Sequence, residues 1–280
     1  MGLSKLFLAF GFAGLLMGTL VSAQEHSGYR SPYRLSFKVA EKELVADLER
    51  SKRGDPTLEA EVPHNEWYTA HAKKHFGSWG PPHRRYPVPE ALEKWSPEFK
   101  RERVIATASR FIGYGYQHHH VPDWNPPAGW PWEKTAVGHN GKGVDCSNLT
   151  SFVYDQALGI HLNGDVHKQA EELEATHGSR QIRGRRIQLP EGVEARAKVL
   201  RTGDLLYIRS KEGKISHVVL WVGEIGRDES GQSVHLVLDS HGDGVTDSKG
   251  VHIPVGIHLR PYQETSWYHH SASHAIRWIE

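Results

Sequence analysis

The chain contains a single cysteine, Cys146, and its position in the sequence suits nucleophilic chemistry. It follows a loop that ends at Asp145 and opens a segment with helical periodicity, so the sulfur is expected in the first turn of a helix. The exposed N–H groups and the dipole of a helix N-terminus favour the thiolate, the form of cysteine that attacks a carbonyl carbon. A buried cysteine that acts only as a small hydrophobe is the alternative, and the residue types alone leave both interpretations open.

A nucleophilic thiol needs a base, and His217 is well placed to supply one. It lies near the start of the apolar segment 215–222, where an imidazole must find a polar partner; a core histidine bonded to the backbone is the other interpretation. A third group should orient the imidazole. Two candidates for this group lie at the end of segment 234–239: Asp239 is its last residue, and His241 is two residues farther on. Because side chains alternate along a strand, the two would share a face.

Hydrophobic periodicity predicts the helices that must position these residues. Ser96 is a typical N-cap, and apolar residues repeat after it at helical spacing up to Gly113. A second helix is predicted from Cys146 to a stop at Gly159, and a weaker pattern predicts a third around residues 166–175.

Beyond residue 189 the pattern changes to short segments that are rich in β-branched or aromatic residues and are separated by glycine-rich turns. These predicted strands are residues 204–208, 215–222, 234–239 and 274–279. Helices followed by strands predict an α+β fold with an antiparallel sheet. The first two helices are separated by a loop of about 30 residues that is rich in His, Pro and Trp, and a loop of this length is often functional.

Residues 1–23 are expected to be a secretory signal peptide, because a positive charge, an apolar run and small residues follow one another before Gln24. We therefore expect an exported protein, periplasmic or extracellular, with no stable membrane insertion after cleavage. A membrane anchor is the alternative, but the apolar run of about 16 residues is shorter than the roughly 20 that a span requires.

Residues 24–95 are predicted to be an extension that wraps the main domain, which is expected at residues 96–280. The extension contains one candidate amphipathic helix, at residues 41–52, and has too few periodic apolar residues to bury a core of its own. Because the extension is rich in aromatic residues and proline, self-inhibition by this segment is a further hypothesis.

Composition excludes several classes of function. Lys and Arg number 34 against 33 Asp and Glu, a net charge of +1 without a basic block, so no nucleic-acid partner is expected. One cysteine excludes an internal disulfide and any CxxC site. The 20 histidines suggest a metal site, but the consecutive residues 118–120 point in different directions and no HExxH motif occurs, so we predict neither metal nor cofactor. Trp124, Trp130 and Trp132 either stack on sugar rings or anchor their loop.

Three short motifs, in this order along the chain, resemble those of the NlpC-type cell-wall cysteine peptidases. They are Asp145-Cys146-Ser147 at a helix start, Thr202-Gly203-Asp204-Leu205-Leu206 before a strand and Ser216-His217-Val218 in a strand. These peptidases are compact papain-like hydrolases of bacterial peptidoglycan stem peptides. The resemblance covers roughly residues 96–280 and implies a papain-like α+β fold, in which N-terminal helices carry the nucleophile and pack on an antiparallel sheet. The insertion at residues 117–144 departs from the family pattern and should reshape the substrate groove.

The resemblance also assigns roles to individual residues. Cys146 matches the nucleophile of the family and His217 its general base. The third catalytic position in the family is a polar residue, often histidine, on the strand after the base. Strand register favours Asp239 for this position, whereas residue type slightly favours His241.

A substrate and a reaction follow from the same resemblance. Tyr116 matches a tyrosine beside the nucleophile, and Asp145 and Ser147 are positioned to meet the free amino end of a stem peptide. His217 would deprotonate Cys146, the thiolate would form a thioester acyl-enzyme, and the bond cut would join D-glutamate to a diamino acid. A catalytically silent cell-wall-binding module and another papain-like thiol amidase or acyltransferase are the alternative functions.

Overall fold

The computed structural model describes residues 29–50, 69–71, 74, 85–116 and 140–280. The predicted signal peptide, much of the 24–95 extension, the three consecutive histidines and the three tryptophans of the insertion lie outside these residues. Within the described part of the chain, no helix is long and apolar enough to cross a membrane.

The helices and strands of the described residues alternate along the chain more than the sequence pattern suggests. The helices are α1 Glu41–Leu44, α2 Ala46–Arg50, α3 Pro97–Ser109, α4 Cys146–Leu158, α5 Val166–Glu171, α6 Val193–Val199 and α7 Trp267–His270, with 3-10 turns at Leu92–Lys94 and Gly223–Ile225. The strands are β1 Arg34–Leu35, β2 Tyr114–Gly115, β3 Asn140–Gly143, β4 Ile160–His161, β5 Glu174–His177, β6 Arg180–Arg183, β7 Arg185–Ile187, β8 Leu205–Arg209, β9 Ile215–Trp221, β10 Gly226–Arg227, β11 Leu236–His241, β12 Val245–Thr246, β13 His252–Ile253, β14 Gly256–Pro261 and β15 Ala272–Arg277.

Six strands form an antiparallel sheet in the order β14-β11-β9-β8-β15-β7. The strands predicted around residues 204–208, 215–222, 234–239 and 274–279 are β8, β9, β11 and β15, which confirms the antiparallel sheet and the mixed α+β class. Successive side chains of each strand contribute to opposite faces of the sheet. One face packs on α3 and α4, and the other packs on a smaller core that includes Trp221, Tyr262 and Tyr268.

The two best-patterned helices are present and begin at the predicted caps, although α3 ends at Ser109 and not at the predicted stop, Gly113. The side chain of Ser96 accepts a hydrogen bond from the Phe99 N–H at the start of α3, and Asp145 accepts one from the Asn148 N–H at the start of α4. Helix α4 stops at Gly159, whose φ of 73° places it in the left-handed region that glycine adopts without strain. The caps thus set the register of the helix that begins with Cys146.

Three predictions about the helices are wrong. The third helix ends at Glu171 instead of residue 175, because residues 174–177 pair with β4 and β6 in a small sheet. The helix expected over residues 41–52 is broken at Val45, and the strand half of the chain contains α6 and α7. Each missed element is seven residues or shorter, too short for periodicity to reveal.

Residues 29–50 cross the surface of the domain and are fastened to it by buried polar contacts. Strand β1 pairs with β10, and α1 and α2 bury Leu44, Val45 and Leu48 against α3. The guanidinium of Arg103, which is fully buried, donates to the Asp47 carboxylate at 2.6 and 2.9 Å and to the Ala157 carbonyl. That side chain therefore ties the N-terminal segment to both α3 and α4.

Candidate functional site

Cys146 is the first residue of α4 and is buried, with 5% of its surface exposed. The loop before it is fixed on both sides. The Val144 N–H donates to the Gly115 carbonyl, and the Val144 carbonyl accepts a hydrogen bond from the hydroxyl of Ser240 on β11. Because α4 spans 13 residues, its N-terminal N–H groups and dipole favour negative charge at this sulfur.

His217, on β9, interacts with Asp239 and lies close to Cys146. Its Nε2 lies 2.7 Å from the Asp239 Oδ1, and the Cys146 sulfur is near enough to act on the charge of the imidazole. Burial alone would lower the pKa of His217, but the influence of Asp239 and Cys146 outweighs burial and raises that pKa well above its ordinary value. The arrangement therefore favours the imidazolium form of His217 beside the Cys146 sulfur.

Asp239 is completely enclosed and is held by two further side chains. The Tyr268 hydroxyl donates to its Oδ2 at 2.6 Å, and the Nε of Arg260 lies 3.7 Å from the same oxygen. Burial acts to raise the pKa of Asp239, but the positive charge of His217, the hydrogen bond to it and the charge of Arg260 bring the pKa below its ordinary value. An ionised carboxylate at this position can both orient the imidazole and stabilise its protonated form.

His241 does not form the hydrogen bond expected of an orienting group. Its ring meets that of His217 edge to face with centroids 5.2 Å apart, and its Nδ1 is turned to the backbone of Asp243, 3.1 Å from the N–H and 2.8 Å from the carbonyl. Of the two candidates on β11, the structure therefore hydrogen-bonds Asp239, and not His241, to the imidazole of His217.

The three residues expected to bind substrate lie near Cys146 but are already engaged. The Asp145 carboxylate caps α4 and accepts from both the backbone and the side-chain amide of Asn148, at 2.9 Å. The Ser147 hydroxyl donates to the Gly164 carbonyl at 2.7 Å. Tyr116 is half-buried, and burial and the neighbouring Cys146 and Asp145 charges raise its pKa, so its phenol is neutral beside the thiol.

His217, Asp239 and His241 have donor atoms within 4.8 Å of one another, close enough to hold a metal ion. Both oxygens of Asp239 already accept hydrogen bonds from His217 and Tyr268, and Nδ1 of His241 faces the backbone of Asp243. The Asp239 oxygens are thus engaged by His217 and Tyr268, and Nδ1 of His241 is engaged by the Asp243 backbone.

Three residues around the site were missed by sequence reasoning. Arg260 lies on β14, where Gly-Ile-His-Leu-Arg-Pro lacks the apolar run of the other predicted strands. Trp267 and Tyr268 lie on α7, a four-residue helix that begins after the N-cap Ser266. The aromatic run that follows a serine at this point was the available signal, but nothing local connects it to a strand 29 residues away.

Comparison with known proteins identifies the family of this chain. The sequence profile of the NlpC/P60 family matches residues 134–274, just over half of the chain, so this protein belongs to that family. Members of the family are generally cysteine peptidases or amidases that act on peptidoglycan peptides. Comparison with curated protein sequences finds no match.

Among solved structures, the chain is similar to the crystal structure of an NlpC/P60 family protein from Bacillus cereus ATCC 10987. The two are 14% identical with a TM-score of 0.35, and the alignment covers 69% of this chain and 42% of that one. The chain therefore spans less than half the length of that protein.

Proposed function

We propose that this protein is an exported cysteine peptidase that hydrolyses amide bonds in the stem peptides of bacterial peptidoglycan. The observation that carries the proposal is the hydrogen bond between the imidazole of His217 and the buried carboxylate of Asp239, with Cys146 beside that imidazole at the start of α4. Export rests on the sequence of residues 1–23, and the substrate class rests on membership of the family.

In the proposed reaction, His217 holds the proton of Cys146, and the thiolate attacks the scissile carbonyl carbon. The N–H of Cys146 and its neighbours at the helix start would stabilise the oxyanion of the tetrahedral intermediate. His217 then gives its proton to the leaving amine, and a thioester acyl-enzyme remains. Water, deprotonated by the same imidazole, hydrolyses the thioester and restores the thiol.

Asp239 acts in this scheme through His217 and does not touch the substrate. Its carboxylate fixes the ring so that Nε2 is occupied and Nδ1 is the nitrogen left for the sulfur. Tyr268 and Arg260 hold the carboxylate in turn, so the imidazole has one orientation before substrate arrives. This fixed geometry is the one that the transfer of a proton between sulfur and amine requires.

The proposal is tested by digesting purified peptidoglycan with the wild-type protein and with Cys146→Ala, and by analysing the released peptides by mass spectrometry. The wild type should release fragments cut within the stem peptide, between D-glutamate and the diamino acid, and Cys146→Ala should release none. Intact stem peptides in both digests would reject the proposal, and cleavage confined to other thioester or amide substrates would favour a different thiol hydrolase.

A second measurement separates an enzyme from a silent binding module. Iodoacetamide at near-neutral pH should alkylate Cys146 much faster than a free thiol, and His217→Ala should remove the excess. His235→Ala is the matched control, since His235 also contacts a carboxylate, that of Glu194 at 3.0 Å, but lies outside the candidate site. Ordinary alkylation of the wild type would favour the binding module.

A further inference from the structure

Two adjoining cavities beside the first half of α3 form a groove that is separate from the candidate site. Their volumes are about 380 and 200 Å³, and Lys38, Glu98 and Glu102 line both of them. We call the two cavities together the α3 groove. Trp221, the last residue of β9, lines the larger cavity, whereas His217 is the third residue of that strand. Four residues of extended strand put the Cα atoms of Trp221 and His217 about 13 Å apart.

Glu102 brings a hydrogen-bond acceptor without a partner into this groove. The residue is only 4% exposed, and its Oε2 accepts a hydrogen bond from the Lys38 N–H at 2.9 Å. Its Oε1 accepts none from the residues that the structure describes. Burial of a carboxylate is costly unless its oxygens are hydrogen-bonded. A donor that enters the groove therefore gains a charge-assisted hydrogen bond with Glu102.

Most of the other charges that line the groove are paired with one another. Nζ of Lys38 lies 2.6 Å from Oε1 of Glu224, and Nη2 of Arg101 lies 2.8 Å from Oε1 of Glu98. Two further lining cations are exposed, Lys94 and Arg201. Salt screens exposed charges, so they select a charged ligand only weakly. A neutral ligand that carries hydroxyl groups suits the groove better, because it can donate to Glu102 without breaking an ion pair.

The smaller cavity adds an aromatic surface. Trp95 and Phe99 line it, both are half-buried, and their ring centroids are 5.0 Å apart. The guanidinium of Arg103 lies over the Trp95 ring, 4.7 Å from its centroid, and holds that ring in place. Aromatic rings pack on the apolar part of a ligand, while a few polar groups fix its orientation. A sugar ring offers both parts, since it has an apolar C–H face and hydroxyl donors.

We propose that the α3 groove binds the glycan strand of peptidoglycan, a chain of N-acetylated hexosamines, at a site separate from the one that cuts the peptide. The sugar chemistry follows from Glu102, Trp95 and Phe99. The choice of this glycan among sugars rests on the proposed function. Binding in the groove would keep the enzyme on the polymer while Cys146 acts on one stem peptide after another.

The test uses a β-1,4-linked tetramer of N-acetylglucosamine, which carries no peptide, and measures its affinity by isothermal titration calorimetry. The wild-type protein should bind the tetramer. Glu102→Gln keeps an oxygen for the Lys38 N–H but loses the charge-assisted hydrogen bond, so the affinity should fall about fivefold or more. Phe99→Leu keeps an apolar side chain but loses the aromatic ring, and its affinity should fall about threefold.

Glu229→Gln is the matched control, because it changes an exposed acid outside both linings and should bind the tetramer like the wild type. For all four proteins the affinity should change little as ionic strength rises, because the tetramer is neutral. Circular dichroism confirms that each variant is folded.

Absence of binding to the wild type would overturn the proposal that the groove binds glycan. Equal affinities of the wild type, Glu102→Gln and Phe99→Leu would show that the tetramer binds elsewhere, which would overturn it as well. None of these outcomes bears on the proposed peptidase activity, because the tetramer has no amide bond of a stem peptide, and the digestion of peptidoglycan measures that activity separately.

Discussion

Asp239 links the imidazole of His217 to two further buried side chains, Tyr268 and Arg260. Sequence reasoning could bring Asp239 and His241 to one face of β11, because side-chain alternation needs only the strand assignment. It could not choose between them. The choice depends on Nδ1 of His241 being occupied by the backbone of Asp243 and on a tyrosine from α7 reaching Asp239.

The two candidates for the third catalytic position predict different losses of rate. Asp239→Asn keeps the size of the side chain but removes the charge that stabilises the imidazolium of His217, so kcat/KM on a stem peptide should fall about 100-fold or more. His241→Ala should cause a much smaller loss, since its ring contacts His217 only edge to face. A steady-state assay with both variants measures the difference, and the reverse order would return the orienting role to His241.

Asp239 should also set the upper pH limit of peptide cleavage. Formation of the acyl-enzyme requires protonated His217, which gives its proton to the leaving amine, and Asp239 raises the pKa of that imidazole. In Asp239→Asn the pKa falls, so the imidazolium is lost at lower pH and the alkaline limb of the kcat/KM profile should move down by about one pH unit or more. Steady-state rates on a stem peptide from pH 5 to 11 provide the profile. An unmoved alkaline limb would contradict the coupling of the two groups.

At the level of elements, Asp145 has two roles at the start of α4: it caps the helix, and it is expected to bind the free amino end of the substrate peptide. Asp145→Ala removes the hydrogen bond to the Asn148 N–H and should lower the free energy of unfolding by about 0.5–2 kcal/mol. Asp145→Asn caps a helix as well as aspartate does, so its stability should be close to wild type, but it loses the charge expected to meet the amino end of the peptide. Urea denaturation of the variants measures the role as a cap, and KM on a stem peptide measures the role in binding. An unchanged KM in Asp145→Asn would leave the cap as the only function of Asp145.

The C-terminal end of α4 is fixed by a close approach that glycine alone permits. A Cβ at Gly159 would lie 2.9 Å from the Cα and 3.0 Å from the N of Val88, in addition to the cost of its φ of 73°. Gly213→Ala is the matched control, with a φ of 81° and no described atom within 4 Å of the added carbon. Each substitution should cost about 1–2 kcal/mol for the backbone, and Gly159→Ala at least about 1 kcal/mol more. Equal losses in urea denaturation would mean that residues 85–89 move aside freely.

Element prediction from sequence succeeded where a cap or a long apolar pattern exists. Ser96, Asp145 and Gly159 mark the ends of α3 and α4, and β8, β9, β11 and β15 are rich in apolar residues. Strand β14 escaped because it buries two polar residues, His258 and Arg260. Arg260 donates to the carbonyls of Pro254 and Gly256 just before it, and its Nε lies 3.7 Å from the carboxylate of Asp239 on β11. The proximity to Asp239 comes from the fold and cannot be inferred from the local sequence.

For the whole molecule, the N-terminal segment and the main domain share buried charge and buried apolar surface. Arg103 packs over the ring of Trp95 at 4.7 Å and reaches Asp47 and Leu44 in the segment, while Arg110 pairs with Glu41 at 2.8 Å. Without the segment, the guanidinium groups of Arg103 on α3 and of Arg110 at its C-cap would lose their carboxylates in a buried position, which is strongly unfavourable. Residues 29–50 are therefore expected to unfold together with the domain.

Leu48→Ala tests this cooperativity. Leu48 is fully buried against Leu44, Val45 and Ala106, so its truncation should lower the free energy of unfolding by about 2–5 kcal/mol. If segment and domain form one unit, the whole curve shifts to lower urea with an unchanged slope, and circular dichroism and the alkylation of Cys146 report the same midpoint. A separate early transition, in which circular dichroism changes but Cys146 stays protected, would show that the segment detaches alone. That result would in turn make the segment a candidate for reversible control of the groove, because it could leave the domain while the site stayed folded.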